Sequence, residues 1–314
     1  MVFVFKKQEN GSAYYYLAHN LRVSKNKWKS FRKYIGKSLP NKKELEALTQ
    51  EFVKEFNIPL DKKFKYLDKE KLAKVDFIIG EFQEKVKNYP KIALEKIERD
   101  FTIKFTYNTN AIEGNTLSLI ETAALLNKNI APQGKSLREI HEITNTENAL
   151  NYIKNFKGEP SKRLVCRMHK IMMASIDDES AGKMRTYDVA IQGANWLPPR
   201  GKEVKKAFKE FMEWYNKNKK KLHPIELAAI THLKFIEVHP FGDGNGRIAR
   251  LITNLILMKN GYPPINIKVK DTIEYVKVLQ YTQNTQKFKG IVDWFLQKLG
   301  EGYSNIMLQN KNRK

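Results

Sequence analysis

Between His239 and Arg250 the chain reads HPFGDGNGRIAR, with glycines at 242, 244 and 246 among a histidine, an aspartate, an asparagine and two arginines. The preceding stretch, PIELAAITHLKFIEV, has helical periodicity, and Pro240 cannot continue it, so His239 falls at a helix end. NGRIARLITNLILMKNG then begins a second helix that stops near Gly261. A glycine-rich loop feeding a helix N-terminus offers unpaired N–H groups, positive partial charge and close backbone approach. Those properties suit a phosphate. No Gly-Lys-Ser/Thr follows, so this is not a Walker A loop. Arg247 and Arg250 are three apart and share a helix face. In a first turn they repel each other and oppose the helix dipole, unless a polyanion lies over them. Asp243 beside a phosphate suits a Mg²⁺ held jointly with phosphate oxygens. His239 ordinarily titrates near neutrality and can take a proton from an attacking hydroxyl. A triphosphate, a divalent cation and a base together point to transfer of part of a nucleotide.

The elements that must hold this loop are mainly α-helical. NKKELEALTQEFVKEF, with Asn41 as N-cap, and KEKLAKVDFIIGEFQEKVKN are two helices; KIALEKIERDFTIKFTYNTNAIEG is a third, opened by Pro90 and closed by Gly114. SLIE (Ser118 to Glu121) and SLRE (Ser136 to Glu139) are capping boxes, each starting a helix. Further helices fit 161–176, 203–217, 224–238, 246–260, 271–283 and 289–300. The first forty residues differ. Three aromatic, β-branched runs separated by ENGS and SKNK predict a small antiparallel sheet. A segment over 186–199, with a Gly-Ala-Asn turn, predicts a β-hairpin. The chain therefore divides into a β-rich region at 1–40, packing helices at 41–89, a helical body at 90–300 and a basic tail at 301–314.

Composition bounds the partners. The net charge of +23 is nearly all lysine, which makes solvated surface charge the first reading and a nucleic-acid contact the second. Basic and aromatic residues interleave in the N-terminal sheet, which docks on the helical body or contacts nucleic acid or protein. A single cysteine, Cys166, excludes an intrachain disulfide framework and reads as a buried thiol. No apolar run approaches the roughly eighteen residues of a membrane span, and the start lacks the charge order of a secretory signal, so a cytoplasmic protein is expected. The spacing of His232, His239 and Asp243 matches no recognised metal site.

The motif resembles the signature of the Fic domain family, His-x-Phe-x-Asp/Glu-Gly-Asn-Gly-Arg-x-x-Arg, at every fixed position, and the resemblance covers roughly residues 90 to 300. It implies a Fic-type helical bundle with a β-hairpin flap, and transfer of AMP from ATP to a protein hydroxyl. By the family's pattern His239 is the general base and Asp243 binds Mg²⁺. Gly244, Asn245 and Gly246 cradle the phosphates, and Arg247 and Arg250 hold the β- and γ-phosphates. A kinase branch of the family carries lysine where this chain has Gly246. TNAIEG (Thr109 to Gly114) is similar to the inhibitory motif of the N-terminally inhibited subclass. That similarity implies that Glu113, placed in the last turn of its helix, pairs with Arg250 and withholds it from ATP, and that AMP removal is a second activity. The flap, after Gly182 to Arg185, is implied to dock a Ser, Thr or Tyr target segment, with Ile191, Gln192 and Gly193 near ATP. Tyr275 matches a family tyrosine on the adenine side. Val276 and Gln283 depart from the pattern there, and the same helix reads equally as a core face. Self-modification and a homodimer fit the subclass. A C-terminal winged helix is not expected, which leaves partner docking to the N-terminal region. The alternative to an enzyme is a basic adaptor that binds nucleotide together with nucleic acid or a regulatory partner.

Overall fold

The computed structural model describes residues 2–9, 11–24, 27–56, 58, 64–191 and 196–309. They form two units, Met1–Tyr89 with Leu299–Lys314, and Pro90–Lys298. In the first unit β1 (Phe3–Glu9), β2 (Ser12–Ser24) and β3 (Lys27–Gly36) make an antiparallel sheet in the order β1-β2-β3. The period of two sends Leu17 and Ala18 to opposite faces. Leu17 packs with Phe31, Ile58 and Phe52 of α1 (Lys42–Glu55); Ala18 packs with Phe3 and with Ala73 and Phe77 of α2 (Lys69–Val86). Each helix starts at a side-chain cap, Asn41 with a Glu44 capping box and Asp68.

The second unit is helical: α3 (Lys91–Ala111), α4 (Leu119–Lys128), α5 (Leu137–Asn155), α6 (Lys162–Met173), α7 (Val204–Asn218), α8 (Pro224–Val238), α9 (Asn245–Lys259), α10 (Thr272–Thr285) and α11 (Lys289–Gln309), whose last residues belong to the first unit. Both expected capping boxes are present, Ser118 with Glu121 and Ser136 with Glu139. The helices flanking the glycine-rich loop are the most buried, α8 without a break from Ile225 to Leu233 and α9 from Arg247 to Leu257. A helix apolar on nearly all sides is a core helix. The loop between α8 and α9 is therefore anchored on the centre of the unit.

Four expectations are corrected. No strand forms among the described residues of 186–199, and 192–195, with Gln192 and Gly193, lie outside the described residues. Pro198 and Pro199 have no N–H for a ladder, and the carbonyls of Tyr187 and Pro199 each accept from the Arg185 guanidinium at 2.8 Å. The α3 helix ends at Ala111, so Glu113 lies in the turn beyond it, where its N–H bonds Asn110 O at 2.9 Å. α11 runs past residue 300 to Gln309, because no proline stops it. Cys166 is half-buried rather than buried.

Gly201 fixes the segment after Arg185. Its N–H donates to Asp188 Oδ1 at 2.7 Å, and a Cβ there would come within 2.2 Å of the Thr186 carbonyl. Gly201→Ala is expected to displace residues 186–188 and to cost about 1–3 kcal/mol. Equilibrium denaturation checks this; an unchanged midpoint would show that the segment yields freely.

Candidate active site

The loop geometry follows from a few local constraints. His239 caps α8 in the left-handed region, φ 46°, and its N–H bonds Phe235 O at 3.0 Å. A non-glycine residue rarely adopts that conformation, but here it turns the chain sharply before Pro240. Asn245 closes the loop: its side-chain amide donates to Phe241 O at 2.8 Å and accepts from Phe241 N at 3.0 Å. Gly244, φ 74°, supplies the left-handed step into α9. Phe241 is fully buried and stacks on His169 of α6 with centroids 3.8 Å apart and planes 5° apart.

Groups outside the motif occupy the loop's carbonyls. Gly182 N–H donates to His169 Nδ1 at 2.9 Å, so the proton sits on Nε2 and points to Asp243 O at 3.2 Å. Arg185 Nε donates to His239 O at 2.8 Å, and Arg185 N–H to Pro240 O at 2.9 Å. With its carbonyls held, the loop presents the N–H groups that open α9, the end of a helix that favours anions.

His239 Nδ1 lies 3.3 Å from Ile236 O. A carbonyl only accepts, so Nδ1 carries the proton and Nε2 keeps its lone pair. Burial, opposed by the bond to the Ile236 carbonyl and helped by the Arg185 charge, lowers its pKa from 6.5 to about 4. The side chain is thus a neutral base at physiological pH. Asp243 is half-exposed. One of its oxygens lies 2.7 Å from Arg138 of α5, the other 3.2 Å from Arg247. Arg247, 2% exposed, also reaches Glu142 of α5 at 3.6 Å. Arg250, 3% exposed, bonds Glu113 Oε1 at 2.5 Å, Thr109 Oγ1 at 2.5 Å and Thr109 O at 3.0 Å. The same Glu113 oxygen lies over Gly246, where a Cβ would meet it at 2.3 Å. A carboxylate therefore rests against the opening turn of α9. The Glu113 turn is held in place by α5, since Asn110 bonds Thr146 Oγ1 at 3.1 Å and Asn115 bonds Glu142 at 2.9 Å.

Behind Arg250 runs a buried relay. Thr253 Oγ1 donates to Ala249 O at 2.8 Å and so accepts from His232 Nδ1 at 2.9 Å. His232 Nε2 then accepts from the Tyr275 hydroxyl at 2.6 Å, and the Tyr275 oxygen accepts from Arg250. Both nitrogens of His232 are engaged. Burial first, then the Arg250 charge, lowers its pKa to about 3, and burial raises Tyr275 to about 12.

The structure brings together His239, Asp243, Gly244, Asn245, Gly246, Arg247, Arg250 and Glu113. Tyr275 is buried with its hydroxyl turned to His232, so it acts on Arg250 from behind. Val276, the next residue of α10, is exposed; Gln283 and Ile191 are half-buried, with no site contact shown for either. Sequence reasoning missed Arg138, Glu142, His169 and His232 as site residues. His169 left a signal, a lone polar residue on the stripe of Leu164, Val165, Met168, Met172 and Met173 that α6 buries.

Comparisons with known proteins converge. The profile described as the Fic/DOC family matches residues 159–257. The protein adenylyltransferase Fic of Nematostella vectensis is 33% identical over 224 residues, 69% of this chain and 51% of that protein. The protein adenylyltransferase fic-1 of Caenorhabditis elegans is 37% identical over 189 residues, 58% of this chain and 37% of that protein. The chain thus spans about half or less of the curated relatives it matches. A solved Fic-1 fragment from Caenorhabditis elegans is 30% identical with a TM-score of 0.67, covering 85% of this chain and 77% of that one. A Fic domain containing signaling protein from Bacteroides thetaiotaomicron shares the fold, with a TM-score of 0.67 at 24% identity over 74% of this chain and 95% of that one.

His169, His232 and His239 stay neutral in the folded chain down to about 4, 3 and 4, but protonate near 6.5 when unfolded. Between those values the unfolded state binds more protons. Their stabilisation is complete above 6.5 and is lost as pH falls toward 4. Glu237, raised by burial, acts in the opposite direction but is one group against three. The melting temperature is expected to fall steadily from pH 7 to 4.5, before most carboxylates titrate; a flat profile over that range would contradict the neutral assignments. Separately, Tyr275→Phe is expected to destabilise by about 1–3 kcal/mol, because the buried His232 Nε2 loses its donor. In a double-mutant cycle with His232→Leu the costs should depart from additivity by at least about 0.5 kcal/mol. Additive costs would mean that hydroxyl and imidazole do not act together.

Proposed function

The chain belongs to the Fic/DOC family, and from that premise we propose that it is a protein adenylyltransferase, transferring AMP from ATP to a Ser, Thr or Tyr hydroxyl of a target protein. One observation carries the reading: a neutral His239 with a free Nε2 lone pair, held beside the anion-favouring start of α9. The names of the relatives support it. His239 Nε2 takes the hydroxyl proton, and the target oxygen forms a bond to the α-phosphorus. The bond from that phosphorus to the bridging oxygen breaks, and pyrophosphate leaves with the electron pair. Gly244, Asn245 and Gly246 offer backbone N–H groups to the phosphates. Arg247 and Arg250 offset the charge of the β- and γ-phosphates.

Asp243 is the residue that would hold Mg²⁺. The donor set fits, since one half-exposed carboxylate at the rim leaves the remaining positions to phosphate oxygens and water, the usual habit of this ion. The bound ion would neutralise phosphate charge. Arg138 and Arg247 hold those oxygens otherwise.

The Glu113–Arg250 pair supports an inhibited resting state. Glu113 sits on the guanidinium meant for the γ-phosphate and against the opening turn of α9. AMP removal from a modified target, with Glu113 positioning the water, is the accompanying activity in this proposal.

A charge-assisted pair of this kind contributes about 1.5–3 kcal/mol, about a 10- to 150-fold factor in productive binding. With ATP labelled at the α-phosphate and Mg²⁺, Glu113→Gly is expected to label itself or a lysate protein more strongly than the wild type by about that factor. Adding His239→Asn, which tolerates the left-handed backbone, should abolish labelling. A Glu113→Gly protein that binds ATP yet labels nothing would overturn the transfer reading.

A further inference from the structure

The first unit concentrates charge where the transfer chemistry has no use for it. Residues 1–40 hold nine lysines and arginines against one carboxylate, Glu9, whereas residues 41–89 hold eleven against ten. The excess therefore lies in the sheet and not in the helices that pack on it.

The sheet also presents aromatic rings. In the pairing register Lys7 lies opposite Tyr14, Phe5 opposite Tyr16, and Tyr16 opposite Tyr34. Residues directly opposite share a face, so Lys7, Tyr14, Tyr16 and Tyr34 form one patch. The ring centroids of Tyr14 and Tyr16 lie 6.3 and 5.4 Å from that of Tyr34. Helix α2 covers the other end of this face, through Phe77 on Phe3 and Phe5 at 5.3 and 4.7 Å. Past that end Tyr34 is 50% exposed and Tyr14 and Tyr16 are half-buried. Lys37 Nζ sits 5.8 Å from the Tyr14 ring.

We propose that the Tyr14–Tyr16–Tyr34 face of the sheet binds single-stranded nucleic acid. Rings that stay partly exposed in a row give successive bases a surface to stack on, and Lys37 over Tyr14, with Lys7 opposite Tyr14 and exchangeable from its exposed pair with Glu9, reaches the phosphates. A duplex keeps its bases stacked on one another and cannot offer their faces to these rings. An acidic peptide would use the lysines and leave the rings without a role. This inference does not rest on the transfer reading, because it uses no residue of the α8–α9 loop.

The test is fluorescence anisotropy of the full chain with a labelled oligothymidylate of about 20 nucleotides, longer than the roughly 4–16 that a small fold covers. A duplex of equal length is measured alongside at two salt concentrations. The single strand is expected to bind more tightly than the duplex, and Tyr34→Ala to weaken it about fivefold or more. Tyr34→Phe should retain wild-type affinity, since the ring does the stacking. Lys37→Glu should weaken binding and flatten its salt dependence. Circular dichroism confirms that each variant folds, and if Tyr34→Ala does not, the exposed Lys37→Glu and the comparison of strand with duplex still decide. Equal affinity for strand and duplex, no binding of either, or a folded Tyr34→Ala with wild-type affinity would each overturn the proposal. The last outcome would point to a protein surface instead.

Discussion

A guanidinium cannot shed its proton, so a buried one must always have a counter-charge or a ring of acceptors. Arg250 sets that condition at the centre of the second unit. At 3% exposure it has exchanged water for Glu113, the Thr109 hydroxyl and carbonyl, and the Tyr275 oxygen. Thr109 lies in the last turn of α3 and Glu113 in the turn beyond it, and Tyr275 is on α10. Satisfying one arginine therefore ties α3 and α10 to α9. Two of these partners are fixed by their own backbone or by His232, whereas Glu113 extends from a turn and is 31% exposed. Of the partners it is the one that can leave, and the charge it would leave behind must be answered by another anion. On the proposed reading, the Glu113 carboxylate and a triphosphate are alternative solutions to the same desolvation problem.

The three histidines around the loop and Arg250 follow a related rule. Burial lowers the pKa of each, and a nearby arginine acts in the same direction, Arg185 on His239, Arg247 on His169 and Arg250 on His232. Permanent charge is assigned to guanidinium, and imidazole is left neutral as a donor–acceptor hinge. His169 and His232 each use one nitrogen to donate and the other to accept, which fixes the loop carbonyl of Asp243 and the hydroxyl of Tyr275. His239 uses only Nδ1 toward its own helix. The free nitrogen of the third histidine is meaningful because the other two show what a purely structural histidine looks like in this core.

Local chemistry was legible in the sequence. Asn41, Ser118 and Ser136 cap their helices because a cap needs only residues three apart, and Pro240 ends α8 for the same kind of reason. The loop motif is equally local. Contacts between distant elements were not legible. Arg138 reaches Asp243 across 105 residues and His169 reaches it across 74, and no spacing rule connects such pairs. The Glu113–Arg250 pair, 137 residues apart, was reachable only through resemblance. The segment over 186–199 misled for a physical reason. Its residues suit a strand, but Arg185 claims the carbonyls that a ladder would use, and a buried guanidinium outweighs a two-strand preference.

Movement is cheap at side chains rather than in the loop backbone. The backbone of the loop is held at His239, Pro240, Phe241 and Asp243 by Arg185, Asn245 and His169, all buried. The counter-ions that face the anion site are different. Arg138, 59% exposed, and Glu113 are side chains with room to swing. On the proposed reading, nucleotide entry exchanges carboxylate for phosphate on Arg250, and metal for guanidinium on Asp243, without any change in the path of α9. Regulation would then act through the side-chain equilibrium of Glu113, whose bias is set by how firmly Asn110 and Asn115 hold its turn to α5. A contact that loosened either asparagine would release the enzyme while leaving every motif residue in place.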